Sequence, residues 1–220
     1  MSIKYFSTEI IRDIKTIDIE SHKPTHASAF LVWYSKPTVD VKRVMELGSG
    51  TGIVAFSLAK LYNLHVEGIE LQKELVDLAS KGIELNELSG KVKFYCMDVR
   101  NVKNVFQPES YDMVVSNMPF HIGKESPDQV RKLSRNATLE LISSFVEATA
   151  YLLRNKGTFV YVTSPKMLIY LLEKLSYKSL ITQKMAVFYG SHSKPAKLVA
   201  LRGKKNGGYD LTIEGVYNHL

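Results

Sequence analysis

The stretch Glu46-Leu47-Gly48-Ser49-Gly50-Thr51-Gly52 decides how this chain is read. It stands between a short apolar run, Val41–Leu47, and an amphipathic one, Ile53–Tyr62. Glycines at alternate positions let the backbone turn sharply and approach a ligand with no Cβ in the way. The spacing GxGxG differs from GxGxxG, the pattern that brings a pyrophosphate to a helix N-terminus. An acid, Glu46, closes the strand just before the turn.

Working outward, strand and helix patterns alternate. Strands are expected over His65–Glu70, Val92–Met97, Tyr111–Ser116, Thr158–Thr163, Thr182–Tyr189 and Leu198–Arg202. Helices are expected over Lys73–Leu88 and Leu139–Arg154, and from Pro165 to Leu175. This order predicts an α/β fold, a doubly wound and mostly parallel sheet with helices on both faces. Residues 41–220 form the main domain in this reading, and 1–40 a separate N-terminal extension. In that extension Ile10–Ile14 and Ile17–Glu20 read as a hairpin and His26–Tyr34 as an apolar helix. His121–Asn136 is polar and basic with no periodicity, and structureless loops of such length in compact domains are usually functional or disordered.

Composition narrows the partners. The 220 residues carry 29 Lys and Arg against 22 Asp and Glu, a net charge of +7. A surplus of that size favours a polyanion, whose phosphates are met mainly by Lys and Arg. The single cysteine, Cys96, excludes an intrachain disulfide and a cysteine metal cluster, and no HExxH-type ligand set is present, so no metal is expected. No apolar run reaches the length of a membrane span, and the N-terminus lacks a signal-peptide core, so a cytoplasmic protein is expected. Without heptads or a long exposed apolar stripe, a monomer is expected.

Two more acids fall at strand ends, Glu70 after the second strand and Asp98 after the third. In open parallel sheets ligands bind outside the carboxyl ends of the strands, and a carboxylate there can accept from two ribose hydroxyls. ELGSGTG, the Ile69-Glu70 pair and Asp98 together resemble the motifs of class I S-adenosylmethionine-dependent methyltransferases. The resemblance implies a Rossmann-like seven-stranded sheet with an antiparallel last strand. It also implies a cofactor, S-adenosyl-L-methionine, held by Glu46, Gly48, Ser49, Gly50, Thr51 and Gly52 at its methionine end. Glu70 would hold the ribose and Asp98 would read the adenine, with Leu71, Met97 and Val99 either sandwiching that ring or serving as ordinary core. The extension would then pack on the cofactor site, with His26 near the cofactor at a helix start, His26-Ala27 standing where the family often carries Asp-Ala.

The fourth strand runs into Ser116-Asn117-Met118-Pro119-Phe120, which resembles the N-P-P-[YF] motif of methyltransferases acting on planar amines. An exocyclic amine is a poor nucleophile because its lone pair is delocalised into the ring. The side-chain oxygen of Asn117 and the backbone carbonyl of Met118 can each accept one amine hydrogen, aiming the lone pair and stabilising positive charge that develops on nitrogen. Pro119 stiffens the turn and Phe120 offers a stacking face. Met118 stands where the family usually has proline, a change that keeps the backbone carbonyl.

Further blocks resemble the bacterial tRNA(Val) adenine-N6 methyltransferases: Gly68–Gln72 with Leu85-Asn86, Leu153–Gly157 (LRNKG), and Lys197–Gly203 followed by Lys204-Lys205-Asn206-Gly207-Gly208. The likeness runs from Thr25 to Tyr217. It implies an RNA partner, a tRNA, methylated at adenine N6. Ser116–Gly123 (SNMPFHIG) is instead similar to the guanine-N2 methyltransferases of ribosomal RNA, which leaves guanine N2 as the alternative. A non-catalytic S-adenosylmethionine-binding RNA module is the reading from another class. Phosphate contacts are expected from Lys124, Arg131, Lys132 and Arg135 in the long loop, and from Lys194, Lys197, Lys204 and Lys205.

Overall fold

A computed structural model describes residues 4–17, 25–118, 128–191 and 193–218, with the backbone alone over 128–137. In chain order the strands are β1 (Lys4–Phe6), β2 (Arg43–Leu47), β3 (His65–Glu70), β4 (Val92–Cys96), β5 (Tyr111–Asn117), β6 (Leu153–Thr163), β7 (Leu180–Tyr189), β8 (Leu198–Lys205) and β9 (Thr212–Asn218). The α-helices are α1 (His26–Tyr34), α2 (Ile53–Tyr62), α3 (Lys73–Leu85), α4 (Asp128–Leu152) and α5 (Leu168–Tyr177).

All nine strands join one sheet in the order β1-β9-β7-β8-β6-β5-β2-β3-β4. Only β8 runs against its neighbours, paired antiparallel to both β6 and β7. The α/β class and the parallel centre agree with the expected fold, whereas the count is nine rather than seven. The antiparallel strand is followed by β9, which lies parallel to β7 and carries β1 on its outer edge. The chain's two ends therefore close the same side of one sheet. That pairing joins residues more than 200 positions apart, and no local pattern announces it.

Each sheet face carries its own core. On one face α1, α2 and α3 pack around Phe30, Phe56, Val44 and Val115. On the other α4 and α5 pack around Met45, Leu47, Phe159 and Leu171. Alternation along β2 sends Val44 to the first cluster and Met45 and Leu47 to the second, as a half-period of two requires. Helix α1 is apolar on every side because it is buried on nearly every side. Its C-terminal end is held by Arg202, whose Nη1 donates to the carbonyls of Tyr34 (3.1 Å) and Lys36 (2.8 Å).

Several expected boundaries move. In place of the hairpin's first arm, Thr8–Ile11 forms a 3-10 turn, and residues 18–20 of its second arm lie outside the described residues. The polar stretch expected as loop is helical from Asp128, where α4 begins, while 119–127 lie outside the described residues. The expected turn at Leu153–Gly157 is an irregularity inside β6: the register with β5 jumps between Tyr111↔Leu153 and Met113↔Thr158, and Lys156 takes φ 61°.

The family-like blocks prove to be joints. Asn86 is buried, and its amide exchanges two hydrogen bonds with Lys15, accepting from the N–H (3.0 Å) and donating to the carbonyl (2.7 Å). Asn206 Nδ2 donates to Asn155 Oδ1 (3.0 Å), and Lys156 Nζ donates to the Asn206 carbonyl, tying the β6 irregularity to the end of β8. Gly203 sits where a Cβ would fall 2.1 Å from the Ile181 carbonyl oxygen and 2.6 Å from the Phe159 ring. Gly203→Ala should therefore cost about 3 kcal/mol of stability, as an overpacked core position facing backbone does. Urea denaturation reads this directly, and a loss below about 1 kcal/mol would mean that the β7–β8 pairing yields.

Candidate functional site

Strands β2 and β3 lead one way across the sheet from the centre and β5 the other, so a crevice opens at the carboxyl ends of β2 and β5. A cleft of about 520 Å³ lies there, within the range of small-molecule sites. Its floor is the glycine turn. Gly48, Gly50 and Gly52 all have positive φ (74°, 53° and 90°), a conformation that excludes most side chains. The N–H groups of Gly48 and Ser49 both donate to the Ile69 carbonyl (2.8 and 3.0 Å), which latches the turn to β3. Beneath it the rings of Phe56 and Phe94 meet edge to face, with centroids 5.6 Å apart. A Cβ at Gly52, Gly68 or Gly82 would strike one of these rings at 2.9 Å or less. Gly52 is thus a packing position and lies outside the lining, while Gly48, Ser49, Gly50 and Thr51 face the cleft.

Glu46 is 2% exposed and lines the cleft. Helix α2 has Gly52 as its N-cap, with no side chain to cap it, and Glu46 Oε2 fills that role from the preceding strand by accepting from Ala55 N–H at 3.0 Å. Burial pushes its carboxyl well above the usual range, the nearby Glu70 charge adds to this, and the Ala55 hydrogen bond opposes it. A buried carboxylate of that kind favours a cationic ligand group beside it.

Glu70 presents its carboxylate from the end of β3. Oε2 accepts from Gly50 N–H and Oε1 from Gln72 N–H, each at 3.0 Å, which leaves lone pairs on both oxygens for a diol. Asp98 departs from the simplest expectation. Arg100 Nε donates to both Asp98 oxygens (2.9 and 3.0 Å), its Nη2 donates to Oδ2 (2.5 Å), and its backbone N–H adds a fourth bond at 2.8 Å. Arg100 holds the Asp98 carboxyl below its ordinary range. An adenine amine would share this carboxylate with Arg100, which lines the same cleft.

Asn117 ends β5, paired with Val162 of β6. Asn117 lines the cleft, and its Oδ1 is buried with no hydrogen-bond partner among the described residues. Ser49 Oγ is in the same condition. Unsatisfied buried oxygens in a native protein call for an explanation, and here both belong to residues that line one cleft. Met118 explains its own departure from proline: its N–H donates to the Val162 carbonyl at 2.9 Å, a bond proline has no donor for, and its side chain is 1% exposed in the α4–α5 core. Pro119 and Phe120 lie outside the described residues.

His26, expected beside the cofactor, is exposed and does not line the cleft; Thr25 and Ser28 of the same helix start do. Thr25 caps α1 by accepting from Ser28 N–H (3.3 Å), which fixes both side chains at the rim. Leu71, Met97 and Val99 line the cleft, as do Gln72, Leu141 and Phe145, which sequence reasoning missed. Phe145 belongs to the apolar face of α4 and lies 3.4 Å from where a Gly48 Cβ would stand. The apolar period of the helix was its one available signal.

The candidate phosphate-binding lysines divide by sheet edge. Lys194 and Lys197 lie in the β7–β8 turn, on the edge where Asn117 ends β5. Lys204 pairs with Thr158, where the pairing of β6 with β8 begins, toward the opposite edge. Lys205 is a correction: its ammonium is shared among Glu109 Oε1 (2.8 Å) and the carbonyls of Ala150 (2.7 Å) and Leu153 (3.0 Å), a structural site with no donor left over. Lys124 and the side chains of Arg131, Lys132 and Arg135 lie outside the described residues.

The model of the methyltransferase small domain matches residues 21–186. The chain is 30% identical over 129 residues to a tRNA1(Val) (adenine(37)-N6)-methyltransferase of Tolumonas auensis, covering 57% of this chain and 53% of that protein. It is 27% identical over 127 residues to the protein of the same name from Bacteroides fragilis, covering 57% and 54%. The chain thus spans about half the length of these curated relatives. Among solved structures, a predicted O-methyltransferase from Agrobacterium tumefaciens superposes with a TM-score of 0.69 at 14% identity, over 88% of this chain and 86% of that one, a likeness of fold.

Proposed function

Since the chain belongs to the methyltransferase small domain family, we propose that it binds S-adenosyl-L-methionine in the β2–β5 cleft and methylates an exocyclic base amine in RNA, adenine N6 of a tRNA. The observation that carries this reading is Asn117 at the cleft wall, its Oδ1 buried without a partner among the described residues, on the same strand edge as Glu46 and Glu70. The residues suit the cofactor. Glu46 would take the methionine ammonium, Glu70 the ribose hydroxyls, and Ser49 Oγ another polar group of the ligand. Leu71, Met97 and Val99 offer apolar surface to the adenine, with Asp98 and Arg100 at its polar edge. When bound, the cofactor supplies an electrophilic methyl group on a sulfonium.

The chain's own contribution is orientation and charge. Asn117 Oδ1 accepts one amine hydrogen and the Met118 carbonyl accepts the other, with the Asn117–Met118 peptide anchored by the Met118 N–H bond to the Val162 carbonyl. Two acceptors would fix the plane of the amine and so direct its lone pair, and their dipoles would stabilise the positive charge that develops on nitrogen before its proton leaves to water. A base stacked in a helix or loop must be everted to reach them. The +7 charge and the two lysines of the β7–β8 turn support a polyanionic substrate. The names of the relatives support tRNA and adenine.

Incubation with labelled S-adenosylmethionine and unmodified total tRNA or ribosomal RNA, followed by digestion to nucleosides, tests the proposal. N6-methyladenosine from tRNA is the expected product. N2-methylguanosine would move the target to the other amine, and tight cofactor binding with no transfer to any RNA would leave a binding module.

A further inference from the structure

Lys204, expected to meet a phosphate, has its company away from the cleft. A second pocket, of about 170 Å³, opens where the pairing of β6 with β8 begins, and Thr158, Lys184, Arg202 and Lys204 all line it. The register explains why they gather. Lys204 stands opposite Thr158, and Arg202 opposite both Val160 and Lys184, so these side chains leave the same face of the sheet. Val160, Ala186 and Ala200 on that face belong to the α1 core. Past the end of α1 the face turns from apolar to basic. The helix separates the two cavities by about 14 Å, the length of nine residues. Thr25 and Ser28 at its start line the cleft, and Arg202, bonded to its last carbonyls, lines the pocket.

Five cations and two acids line this pocket, a surplus of three positive charges. The acids are already engaged. Asp112 accepts from the N–H groups of Lys42 and Arg43 (2.8 Å each) and from Arg154 Nε (2.7 Å). Asp40 accepts from Arg154 Nη2 (3.1 Å) and from the Thr38 hydroxyl. Both acids thus serve Arg154, while Lys156, Lys184, Arg202 and Lys204 make no ion pair among the described residues. Arg202 is the least satisfied of these. It is half-buried, burial pulls its guanidinium below the ordinary arginine range, and its bonds to the Tyr34 and Lys36 carbonyls both use Nη1. A helix C-terminus carries only about half a negative charge, so it answers part of this cation. A charge drawn out of water without a counter-ion is costly, and a bound anion offsets that cost.

We propose that this pocket binds a phosphate group, free or carried on a larger molecule, between the remaining guanidinium nitrogens of Arg202 and the ammoniums of Lys184 and Lys204. Shape and size select the ligand. The cations come from two adjacent strands, and a tetrahedral phosphate presents oxygens to all of them, whereas a planar carboxylate has only two. The guanidinium fork also matches a pair of phosphate oxygens. The volume lies below the roughly 300 Å³ at which pockets begin to enclose a whole organic ligand, so the pocket takes the charged group alone. The site is separate from the cleft and does not depend on the chemistry proposed there. Two sources carry such a group, an RNA backbone and a free phosphate compound.

The test titrates inorganic phosphate into the full chain at constant ionic strength in chloride, with acetate as the planar control and unmodified total tRNA as a second ligand. Phosphate should bind and raise Tm, and acetate should bind about tenfold more weakly. Lys184→Ala with Lys204→Ala, both at exposed positions, should weaken phosphate binding by about tenfold. Cofactor affinity and the phosphate-free Tm of that double variant should stay at wild-type values. Arg202→Gln should abolish phosphate binding; it also frees the end of α1, so if it lowers Tm the lysine variant decides. If RNA supplies the group, the lysine variant should bind tRNA with a slope of log affinity against log salt lower by about two units. Weakened phosphate binding with an unchanged tRNA slope assigns the pocket to a free phosphate compound. Wild-type phosphate affinity in the lysine variant, or acetate bound as tightly as phosphate, would overturn the site. So would a chain that binds no phosphate and whose tRNA slope the lysine variant leaves unchanged. Methyl transfer, read separately, stands or falls on its own.

Discussion

Asn117→Ala should lower the rate of methyl transfer by on the order of 100-fold, the loss that follows removal of one preorganised polar contact to a developing charge. What makes this variant informative is the state of the atom it removes. Asn117 Oδ1 has no hydrogen-bond partner among the described residues, so its loss breaks no bond among them. Removing an unsatisfied buried oxygen should leave stability unchanged within about 1 kcal/mol, or raise it. Glu46, Glu70 and Ser49, which would grip the cofactor, are untouched. The expected pattern is a collapsed single-turnover rate with Tm and cofactor affinity near wild type. A variant that turns over at close to the wild-type rate would remove Asn117 from the chemistry and with it the assignment of an amine substrate.

Glu46→Gln should separate stability from ligand binding, moving them in opposite directions. The Glu46 carboxyl is raised above its ordinary value of 4.5, chiefly by burial. The fold therefore binds this proton more tightly than the unfolded chain does. Above pH 4.5 the charged group destabilises the ligand-free protein, increasingly until the folded-state value is passed, and below pH 4.5 that cost is absent. Glutamine keeps an oxygen that can still accept from Ala55 N–H and carries no charge. The ligand-free variant should melt at a higher temperature than wild type at neutral pH, with the difference shrinking toward zero as pH falls below 4.5. Cofactor affinity should fall by about 100-fold, as loss of a charge-assisted buried contact implies. Thermal melts across pH with and without the cofactor read both arms. Unchanged affinity would take the ammonium away from Glu46, and a lower Tm would mean that the carboxylate stabilises the ligand-free fold.

Both predictions stand on residues that were legible in the sequence, but the reasons for them were not. That Glu46, Glu70 and Asn117 end strands at one sheet edge follows from period-two runs that stop at an acid or an amide. That Glu46 caps α2, that Arg100 already grips Asp98, and that Asn117 lacks a partner depend on where neighbouring side chains come to rest. His26 illustrates the limit. The helix start was read correctly, yet Thr25 and Ser28 face the cleft and His26 faces outward. Lys205 shows the same limit in the other direction, since a lysine-rich tail end looks like a phosphate site until three acceptors converge on its ammonium.

The sequence by itself determined what short-range chemistry controls: the α/β alternation, the glycine turn that only positive φ permits, the buried apolar helix α1, and the acids at strand ends. Those signals live within a few residues of one another, where backbone preference and apolar period act. Tertiary structure alone decided the rest. The pairing of Lys4–Phe6 with Val216–Asn218, the helical start of α4, the irregularity that bends β6 back into register, and the gathering of cations beside Arg202 all require segments far apart in the chain to meet. Their stability comes from contacts with no counterpart in local sequence, so no reading of neighbouring residues could supply them.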